Sequence, residues 1–274
     1  MLWDKYDLLI LDLDGVIYIG DQAVPFAAET INEISKNVRI CAATNNASRR
    51  PEVVAEHLRS LGLDIANDEV YTSAEAGAAL LGMQIEPGSS VLAIGGDGVS
   101  AALEAAGFEV VRASDSHELN RQLASKVSGV LQGHGTSNNW WDFNLAMQAI
   151  NLGKTWIATN HDLTVPIPGG FAPGNGAFVR LLQELTGIKP QFAGKPETAL
   201  FLKAANKFNS LNPLVIGDRL DTDIDGAVSA GFDSLLVGTG VHQIADVSTN
   251  LPTYFAADLR VLLESNPDSF KVKE

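Results

Sequence analysis

Short apolar segments alternate with amphipathic helical segments along almost the whole chain, and this alternation restricts the fold more than any other feature. Strands are predicted over residues 6–13, 38–44, 91–95, 127–132, 155–159, 214–217 and 234–238. Their residues are apolar without a break, which is typical of parallel strands covered by helices on both faces. The alternation therefore predicts an α/β fold built on a doubly wound, Rossmann-like parallel sheet.

The predicted strands fall into two sets, which indicates two domains. Residues 1–79 and 180–274 carry strands that end in charged or amide side chains, and we assign them to a core domain. Residues 80–179 have three strands of their own, with glycine-rich stretches near Gly82 and Gly174 at the two ends. This middle part is predicted to be a second α/β domain inserted into the first.

Composition and charge exclude several classes of partner. Apolar residues make up 46% of the chain and charged residues 19%, which is enough to bury a full core. The net charge of −14 disfavours nucleic acid and anionic membranes. The single cysteine, Cys41, excludes an intrachain disulfide and a cysteine-rich zinc site. With no signal-peptide pattern or apolar stretch near the ~20 residues of a membrane span, a cytoplasmic protein is expected, and a homodimer stays open.

Polar side chains follow the predicted core strands at the points where ligands bind in open α/β sheets. They are Asp12 and Asp14 after the first strand, Thr44, Asn45 and Asn46 after the second, Lys195 after the inserted domain, and Asp218, Asp221 and Asp223 after the next strand. Taken singly, each group has an ordinary explanation, such as a capped turn or a helix N-terminus. Their combination at successive strand ends predicts one shared site.

The carboxylates of this predicted site indicate a metal ion. Asp12 and Asp14 are two residues apart, so on a strand they would project from the same face. Asp218 adds a third negative charge, which the group cannot hold without a cation. Oxygen ligands favour Mg²⁺ over Ca²⁺ or Zn²⁺, and bound Mg²⁺ usually shares a phosphate of the substrate. The donors that such a phosphate needs are present in Lys195, Thr44 and Asn45.

Four motifs resemble those of the haloacid dehalogenase superfamily. They are DLDGV at 12–16, TNN at 44–46, GKP at 194–196 and GDRLDTDI at 217–224. The TNN and GDRLDTDI forms are similar to its NagD-like, type IIA-capped phosphatases, which include the 4-nitrophenylphosphatase and phosphoglycolate phosphatase relatives. The resemblance covers essentially the whole chain and implies that the inserted domain is a cap over the site of the core.

The resemblance implies a role for each motif residue. Asp12 would attack phosphorus and form an aspartyl phosphate, and Asp14 would act as general acid and then as general base. Mg²⁺ would be bound by the Asp12 carboxylate, the Asp14 backbone carbonyl and the Asp218 carboxylate. The remaining roles would be orientation of a metal-bound water by Asp223 and phosphoryl binding by Thr44, Asn45 and Lys195. The carboxylate at Asp14 implies an oxygen leaving group, and therefore a phosphatase rather than a dehalogenase.

The expected function is Mg²⁺-dependent hydrolysis of phosphomonoesters of small metabolites, such as a sugar phosphate, phosphoglycolate, glycerol phosphate or a nucleoside monophosphate. A phosphotransferase that uses the same intermediate is an alternative. A non-catalytic protein that binds phosphate ligands is disfavoured, because none of the motif residues is lost.

The leaving group is expected to contact residues outside the core motifs. The candidates for substrate specificity are Asn46, His134, Asn138 and Trp140. Many relatives carry an acidic residue just after the position of Gly133, whereas this chain has His134, so no particular substrate is inferred from the family. The sequence VLAIGGDGV, residues 91–99, resembles a nucleotide-binding glycine loop but lacks its full spacing, which favours an ordinary strand-to-helix turn.

Overall fold

The structure is a computed structural model that describes residues 1–167, 169–246 and 250–272. Its strands are β1 (Leu8–Leu11), β2 (Tyr18–Ile19), β3 (Gln22–Ala23), β4 (Arg39–Thr44), β5 (Val70–Thr72), β6 (Ser90–Ile94), β7 (Glu109–Val111), β8 (Gly129–Gln132), β9 (Thr155–Ala158), β10 (Thr164–Ile167), β11 (Gly170–Pro173), β12 (Gln191–Phe192), β13 (Pro213–Gly217), β14 (Asp233–Val237) and β15 (Tyr254–Ala256). Its α-helices are α1 (Ala27–Ile34), α2 (Pro51–Ser60), α3 (Ser73–Gly82), α4 (Asp97–Ala105), α5 (His117–Lys126), α6 (Trp140–Asn151), α7 (Asn175–Thr186), α8 (Thr198–Lys207) and α9 (Asp225–Ala230). A π-helical turn, Leu220–Ile224, leads into α9.

The chain divides into two compact units. Unit 1 comprises Met1–Thr44, Pro51–Tyr71 and Lys195–Glu274, and unit 2 comprises Asn45–Arg50 and Thr72–Gly194. These limits differ from the predicted ones of 80 and 179. The reason is packing: α3 packs against β8 and β9, and β12 pairs with β9, so both flanking segments are held by the sheet of unit 2.

Unit 1 is built on a sheet with the strand order β15-β14-β13-β1-β4-β5. The pairs of β1 with β13 and β4, of β13 with β14 and of β14 with β15 are parallel. From β1 the chain moves outward through β4 and β5, and after unit 2 it moves the other way through β13, β14 and β15. The order therefore reverses between β1 and β13, which confirms a doubly wound sheet and opens a crevice at the carboxyl ends of these two strands.

Unit 2 repeats the same principle on a smaller sheet, with the order β12-β9-β8-β6-β7 and parallel pairing throughout. Here the order reverses between β6 and β8. The antiparallel pair β10–β11 lies outside this sheet, in the connection to α7. All seven strands predicted from the sequence are present, which confirms the α/β class. The strands missed by the prediction are short, with two to four residues.

The core explains the continuous apolar strands. All four residues of β1 are fully buried. Leu9 and Leu11 pack in one large cluster with Leu214 and Ile216 of β13, and the intervening residues of β1 point to the opposite face. Since both faces are covered, no position of the strand accepts a polar residue until the strand ends. No helix among the described residues combines the length and apolar character that a membrane crossing requires.

The start of β1 is tied to the turn before β13 by Asp7, which gives a test of the fold. Its carboxylate accepts hydrogen bonds from the N–H groups of Leu211, at 2.8 Å, and Asn212, at 3.2 Å, and from the Ser210 hydroxyl. Partial burial alone would raise the pKa of Asp7, but these bonds hold it below the ordinary value of 3.8.

We expect Asp7→Asn to lower the free energy of unfolding by about 1 kcal/mol at neutral pH, since the side chain is largely exposed and its bonds are screened. Because the folded pKa is depressed, this contribution is present above about pH 4 and is lost as the pH falls through the folded value. Urea unfolding at neutral and acid pH measures it. The exposed Asp64→Asn is the control, and an Asp7→Asn deficit that persists unchanged at about pH 2 would contradict the assignment.

Candidate active site

A buried group of charges lies at the carboxyl ends of β1 and β13. Asp12 directly follows β1, Asp218 directly follows β13, and Asp223 comes from the π-helical turn before α9. Each offers a carboxylate oxygen within 4.8 Å of the others. Asp218 and Asp223 are almost fully buried, and the Asp12 side chain retains 14% of its exposure. The strand reversal between β1 and β13 therefore brings together carboxylates from positions 206 residues apart.

Lys195 is the cation of this group. Its Nζ donates to Asp12 Oδ1 at 2.5 Å and to Asp223 Oδ1 at 2.8 Å, and its side chain is 2% exposed. The ammonium also lies 5.7 Å from the centre of the Phe201 ring on α8. The structure thus joins Lys195, predicted to bind phosphate, to Asp12, predicted to be the nucleophile.

Asp218 is oriented by a loop that follows β14. The Val241 N–H donates to Asp218 Oδ2 at 2.8 Å, and the His242 N–H donates to the Asp218 backbone carbonyl at 3.1 Å. The Thr239 hydroxyl donates to the carbonyl of Gly15 at 2.6 Å. Gly15 has a φ of +80°, and a Cβ there would overlap the Asp218 carboxylate. The turn after β1 can approach Asp218 only because this residue is glycine.

Asp14 differs from Asp12 in its exposure. Its side chain is exposed, Tyr18 Oη donates to its Oδ2 at 3.4 Å, and it is not in the carboxylate group that the described residues form. β1 ends at Leu11, so both aspartates lie beyond the strand, and the expectation that they project from one face stays a prediction. A contribution of the Asp14 backbone carbonyl to metal binding stays a prediction.

The TNN motif is divided between the two units. Thr44 ends β4 in unit 1 and is 3% exposed, whereas Asn45 and Asn46 belong to unit 2. The Asn45 carbonyl accepts hydrogen bonds from Ser73 Oγ at 2.7 Å and from Asn160 Nδ2 at 2.8 Å. These bonds fix the backbone at the residue whose amide is predicted to bind phosphate.

The predicted specificity residues lie in unit 2. Asn46 Oδ1 accepts from the Ser48 N–H at 2.9 Å, and Asn138 Nδ2 donates to the Gly133 carbonyl at 3.3 Å, so both amides take part in their own loops. His134 is half-buried, and burial lowers its pKa. Trp140 begins α6 with 59% exposure and makes edge contacts with the rings of His117 and Trp141. Their proposed contacts with a leaving group stay predictions.

The charges of the buried group do not balance. Burial raises the pKa of Asp12 well above its ordinary value, and the ion pair with Lys195 offsets this only in part. Burial and the charge of Asp223 raise the pKa of Asp218 to about 6. Burial alone would lower the pKa of Lys195, but the charges of Asp12 and Asp223 hold it above its ordinary value. Among the described residues of this group, three carboxyl groups thus face one ammonium, and full ionisation of all three would leave an excess of negative charge in a buried site.

This donor set fits a hard divalent cation. Asp218 Oδ1 is buried without a hydrogen-bond partner among the described residues, although Oδ2 of the same carboxylate is bonded. A buried carboxylate oxygen left in this state is costly unless a cation or a donor meets it. The side-chain ligands that the described residues group together here are carboxylate oxygens, which suits Mg²⁺.

Sequence reasoning missed the loop of Thr239, Gly240, Val241 and His242. Its contacts with Asp218 and Gly15 are made by two backbone N–H groups and one hydroxyl, so they leave no pattern of charged or amide side chains like that of the other strand ends. The sequence could nevertheless have indicated this loop by its position, because it directly follows the strand predicted over residues 234–238. Tyr18, which contacts Asp14, gave no sequence signal beyond its place two residues after the DLDGV motif.

The geometry defines this chain as an α/β protein with an acidic site at a reversal of strand order. Comparison with known proteins identifies its family. Residues 9–109 match the profile of the haloacid dehalogenase-like hydrolases, and residues 192–262 match a second, HAD-hydrolase-like profile. The chain is 38% identical over 262 residues to a D-glycerol 3-phosphate phosphatase of Mycobacterium tuberculosis, covering 94% of this chain and 71% of the relative. It is 35% identical over 260 residues to an acid sugar phosphatase of Staphylococcus aureus, covering 93% and 96%.

Solved structures agree with these sequence matches. A glycerol phosphate phosphatase from Mycobacterium tuberculosis, in complex with magnesium, has a TM-score of 0.91 at 36% identity and covers 99% of this chain and 81% of that one. An NPPase variant from Geobacillus stearothermophilus has a TM-score of 0.83 at 31% identity, with coverage of 93% and 97%. The chain therefore belongs to the haloacid dehalogenase-like hydrolase family.

The raised pKa of Asp218 predicts how the stability of the metal-free protein depends on pH. Since the pKa is about 6 in the folded protein and near 3.8 for an ordinary aspartate, the folded state binds a proton here more tightly than the unfolded state. The associated stabilisation is complete below about pH 4 and is lost as the pH rises through about 6. In EDTA, we expect the free energy of unfolding of the wild type to fall relative to Asp218→Asn by roughly 2 kcal/mol between about pH 4 and pH 7.

Urea unfolding of both proteins at the two pH values measures this difference. The exposed Asp115→Asn serves as the control and is expected to follow the wild type. A difference between wild type and Asp218→Asn that stays constant or grows with pH would show that Asp218 is not held in the environment described here.

Proposed function

We propose that this chain is a magnesium-dependent phosphomonoester hydrolase that acts on small phosphorylated metabolites through an aspartyl-phosphate intermediate. The observation that carries the proposal is the buried contact of Lys195 with Asp12 beside Asp218 and Asp223. This arrangement offers a nucleophile, a fixed positive charge and a set of metal ligands at one strand reversal. The phosphatases among its relatives support the same reaction class.

Asp12 is the proposed nucleophile, because Lys195 holds its carboxylate in place and carries a positive charge of the kind that a phosphoryl group needs. Lys195 fixes its Oδ1, so the carboxylate meets phosphorus in a set orientation. Attack breaks the bond between phosphorus and the ester oxygen and leaves the phosphoryl group on Asp12. The metal, held by Asp12 and Asp218 with Asp223 beside them, would supply positive charge against the phosphoryl oxygens when bound.

Asp14 is the proposed acid and base. In the first half-reaction its proton goes to the departing ester oxygen, which leaves as an alcohol. In the second, Asp14 takes a proton from the water that attacks phosphorus, and orthophosphate departs with regeneration of the Asp12 carboxylate. Its exposed position suits this role, because a group that must gain and lose protons in each cycle needs exchange with solvent.

The substrate class follows from the relatives. They include a D-glycerol 3-phosphate phosphatase and acid sugar phosphatases, so polyol and sugar phosphates are the first choice for a panel that also contains phosphoglycolate and nucleoside monophosphates. We further propose that unit 2 is the type IIA cap of this family and that it selects the leaving group through His134 and Trp140. In the panel, release of alcohol and orthophosphate in equal amounts supports a hydrolase. Appearance of the phosphoryl group on an added alcohol would identify a phosphotransferase instead.

The nucleophile assignment predicts a large loss of turnover in Asp12→Asn. An amide is a far weaker nucleophile than a carboxylate, so kcat for 4-nitrophenyl phosphate with Mg²⁺ is expected to fall by about 1,000-fold or more. Chelation by EDTA should abolish wild-type activity, and added Mg²⁺ should restore it.

Asp221→Asn is the matched control, because Asp221 lies in the same motif as Asp218 but is 56% exposed and pairs with Arg219. It is expected to keep activity close to that of the wild type. Turnover that survives both Asp12→Asn and EDTA would overturn the proposed function.

A further inference from the structure

The glycine-rich turn after β6 has no role in the reaction proposed above, although it lies where ligands bind in sheets of this kind. This turn spans Gly95–Gly98, with the sequence GGDG, and includes the first two residues of α4. It lies at the strand reversal of the unit 2 sheet. In open α/β sheets this crevice is where ligands bind. In this chain the turn contacts two segments of the protein itself. One is Gly133–Gly135 after β8, where the Gly96 N–H donates to the His134 carbonyl at 2.9 Å. The other is Asn45–Arg50, which follows Thr44 and belongs to unit 2.

The crevice is shaped for the backbone of that segment. The Gly98 N–H donates to the Ser48 carbonyl at 3.2 Å. A Cβ at Gly98 would lie 2.6 Å from the Ala47 carbonyl oxygen and even nearer to that of Arg49. A Cβ at Gly96 would overlap the Ser48 carbonyl. Three successive carbonyls therefore pack against the turn at a distance that only glycine allows.

An ion pair holds the far end of the segment. The Arg50 guanidinium makes a two-pronged contact with the Asp97 carboxylate, with Nη2 at 3.1 Å from Oδ1 and Nε against Oδ2. The hydrogen bond from Arg50 holds the pKa of Asp97 below its ordinary value. Both side chains are substantially exposed, so the pair adds little to global stability, but its fork geometry fixes the direction of the chain.

The near end of the segment is held by two more donors. The Asn45 carbonyl accepts from Ser73 Oγ and from Asn160 Nδ2, and Asn160 is 4% exposed. Between the two ends, Asn46 Oδ1 accepts from both the N–H and the hydroxyl of Ser48, at 2.9 and 2.6 Å. Four residues of the segment thus make hydrogen bonds within unit 2, although the segment follows directly on the last residue of β4: Asn45, Asn46, Ser48 and Arg50.

We propose that the turn after β6 is a socket, that is, a binding site for the protein's own segment Asn45–Arg50. We further propose that Gly98 and Asp97 are positioning residues that orient the side-chain amide of Asn45 for phosphoryl binding. The inference rests on the proposed function for its second part only. A donor that contacts a phosphoryl group must be held to within a fraction of an ångström, and a segment bound at both ends meets that requirement. The glycine turn thus orients a binding residue and does not itself cradle a nucleotide.

Hydrogen exchange followed by mass spectrometry tests the socket without any assay of activity. Gly98→Ala should speed exchange in a peptide that covers 45–50 by about tenfold or more, because the added methyl displaces the carbonyls. Gly82→Ala is the matched control, since it also places alanine in a helix of unit 2, with no atom nearer than 4.0 Å to the new Cβ. Equal exchange of this peptide in Gly98→Ala and Gly82→Ala would overturn the socket.

Phosphate binding tests the positioning role. With Mg²⁺ present, Gly98→Ala and Asp97→Asn should raise KM for 4-nitrophenyl phosphate and the inhibition constant of orthophosphate together, by about tenfold, as for a lost hydrogen bond to a charged group. The rise in Tm that Mg²⁺ alone produces should stay as in the wild type, since its proposed ligands are in unit 1. Asp115→Asn, an exposed aspartate of unit 2, is the control for the lost charge.

The outcomes separate the two proposals. Faster exchange with unchanged KM and unchanged orthophosphate inhibition in both variants would overturn the positioning role and leave the hydrolase intact. If the wild type neither turns over phosphomonoesters nor binds orthophosphate, the proposed function and the positioning role fail together, and the exchange experiment alone decides the socket. Restoration of low KM by Asp97→Glu, relative to Asp97→Asn, would support a role for the charge pair.

Discussion

The contact of Lys195 with Asp12 and Asp223 is the constraint on which the rest of the site depends. A buried ammonium and three buried carboxylates are each costly alone, and they persist because the strand reversal between β1 and β13 brings them to one point. The remaining negative charge is what makes the site a metal site. Asp218 is the residue where this is most visible, since the Val241 N–H satisfies one of its oxygens and the other is left for a cation.

Both sheets contain a reversal of strand order, but different residues lie at the two reversals. In unit 1 the reversal collects charged side chains and leaves a crevice for chemistry. In unit 2 the Gly95–Gly98 turn lies at the reversal, and the backbone of Asn45–Arg50 packs against it. The TNN motif lies where these two uses meet, because Thr44 is the last residue of a unit 1 strand and Asn45 is the first residue held by unit 2. The peptide bond between Thr44 and Asn45 therefore joins two residues that are both proposed to bind phosphate, of which the first is held by unit 1 and the second by unit 2.

The sequence predicted the fold well where burial alone determines it. The strands around β1 are apolar on both faces, so continuous runs marked them, and their polar ends marked Asp12, Thr44 and Asp218. Edge strands such as β12 are too short for such a signal, and the domain limits at 72 and 194 depend on packing between distant segments. The role of Gly98 was hidden for a related reason: a close approach between backbones that are 47 residues or more apart has no local pattern.

Asp12 and Asp14 show why spacing alone could not assign their roles. On an extended strand they would be equivalent, with both carboxylates on one face. The chain leaves the strand after Leu11, and Gly15 then turns at a φ of +80°, so the first carboxylate is drawn into the ion pair with Lys195 while the second stays exposed beside Tyr18. A nucleophile has to be held in one orientation, and a proton carrier has to reach solvent. The end of β1 gives the two aspartates these opposite environments within three residues, and this difference supports the division of labour proposed for them.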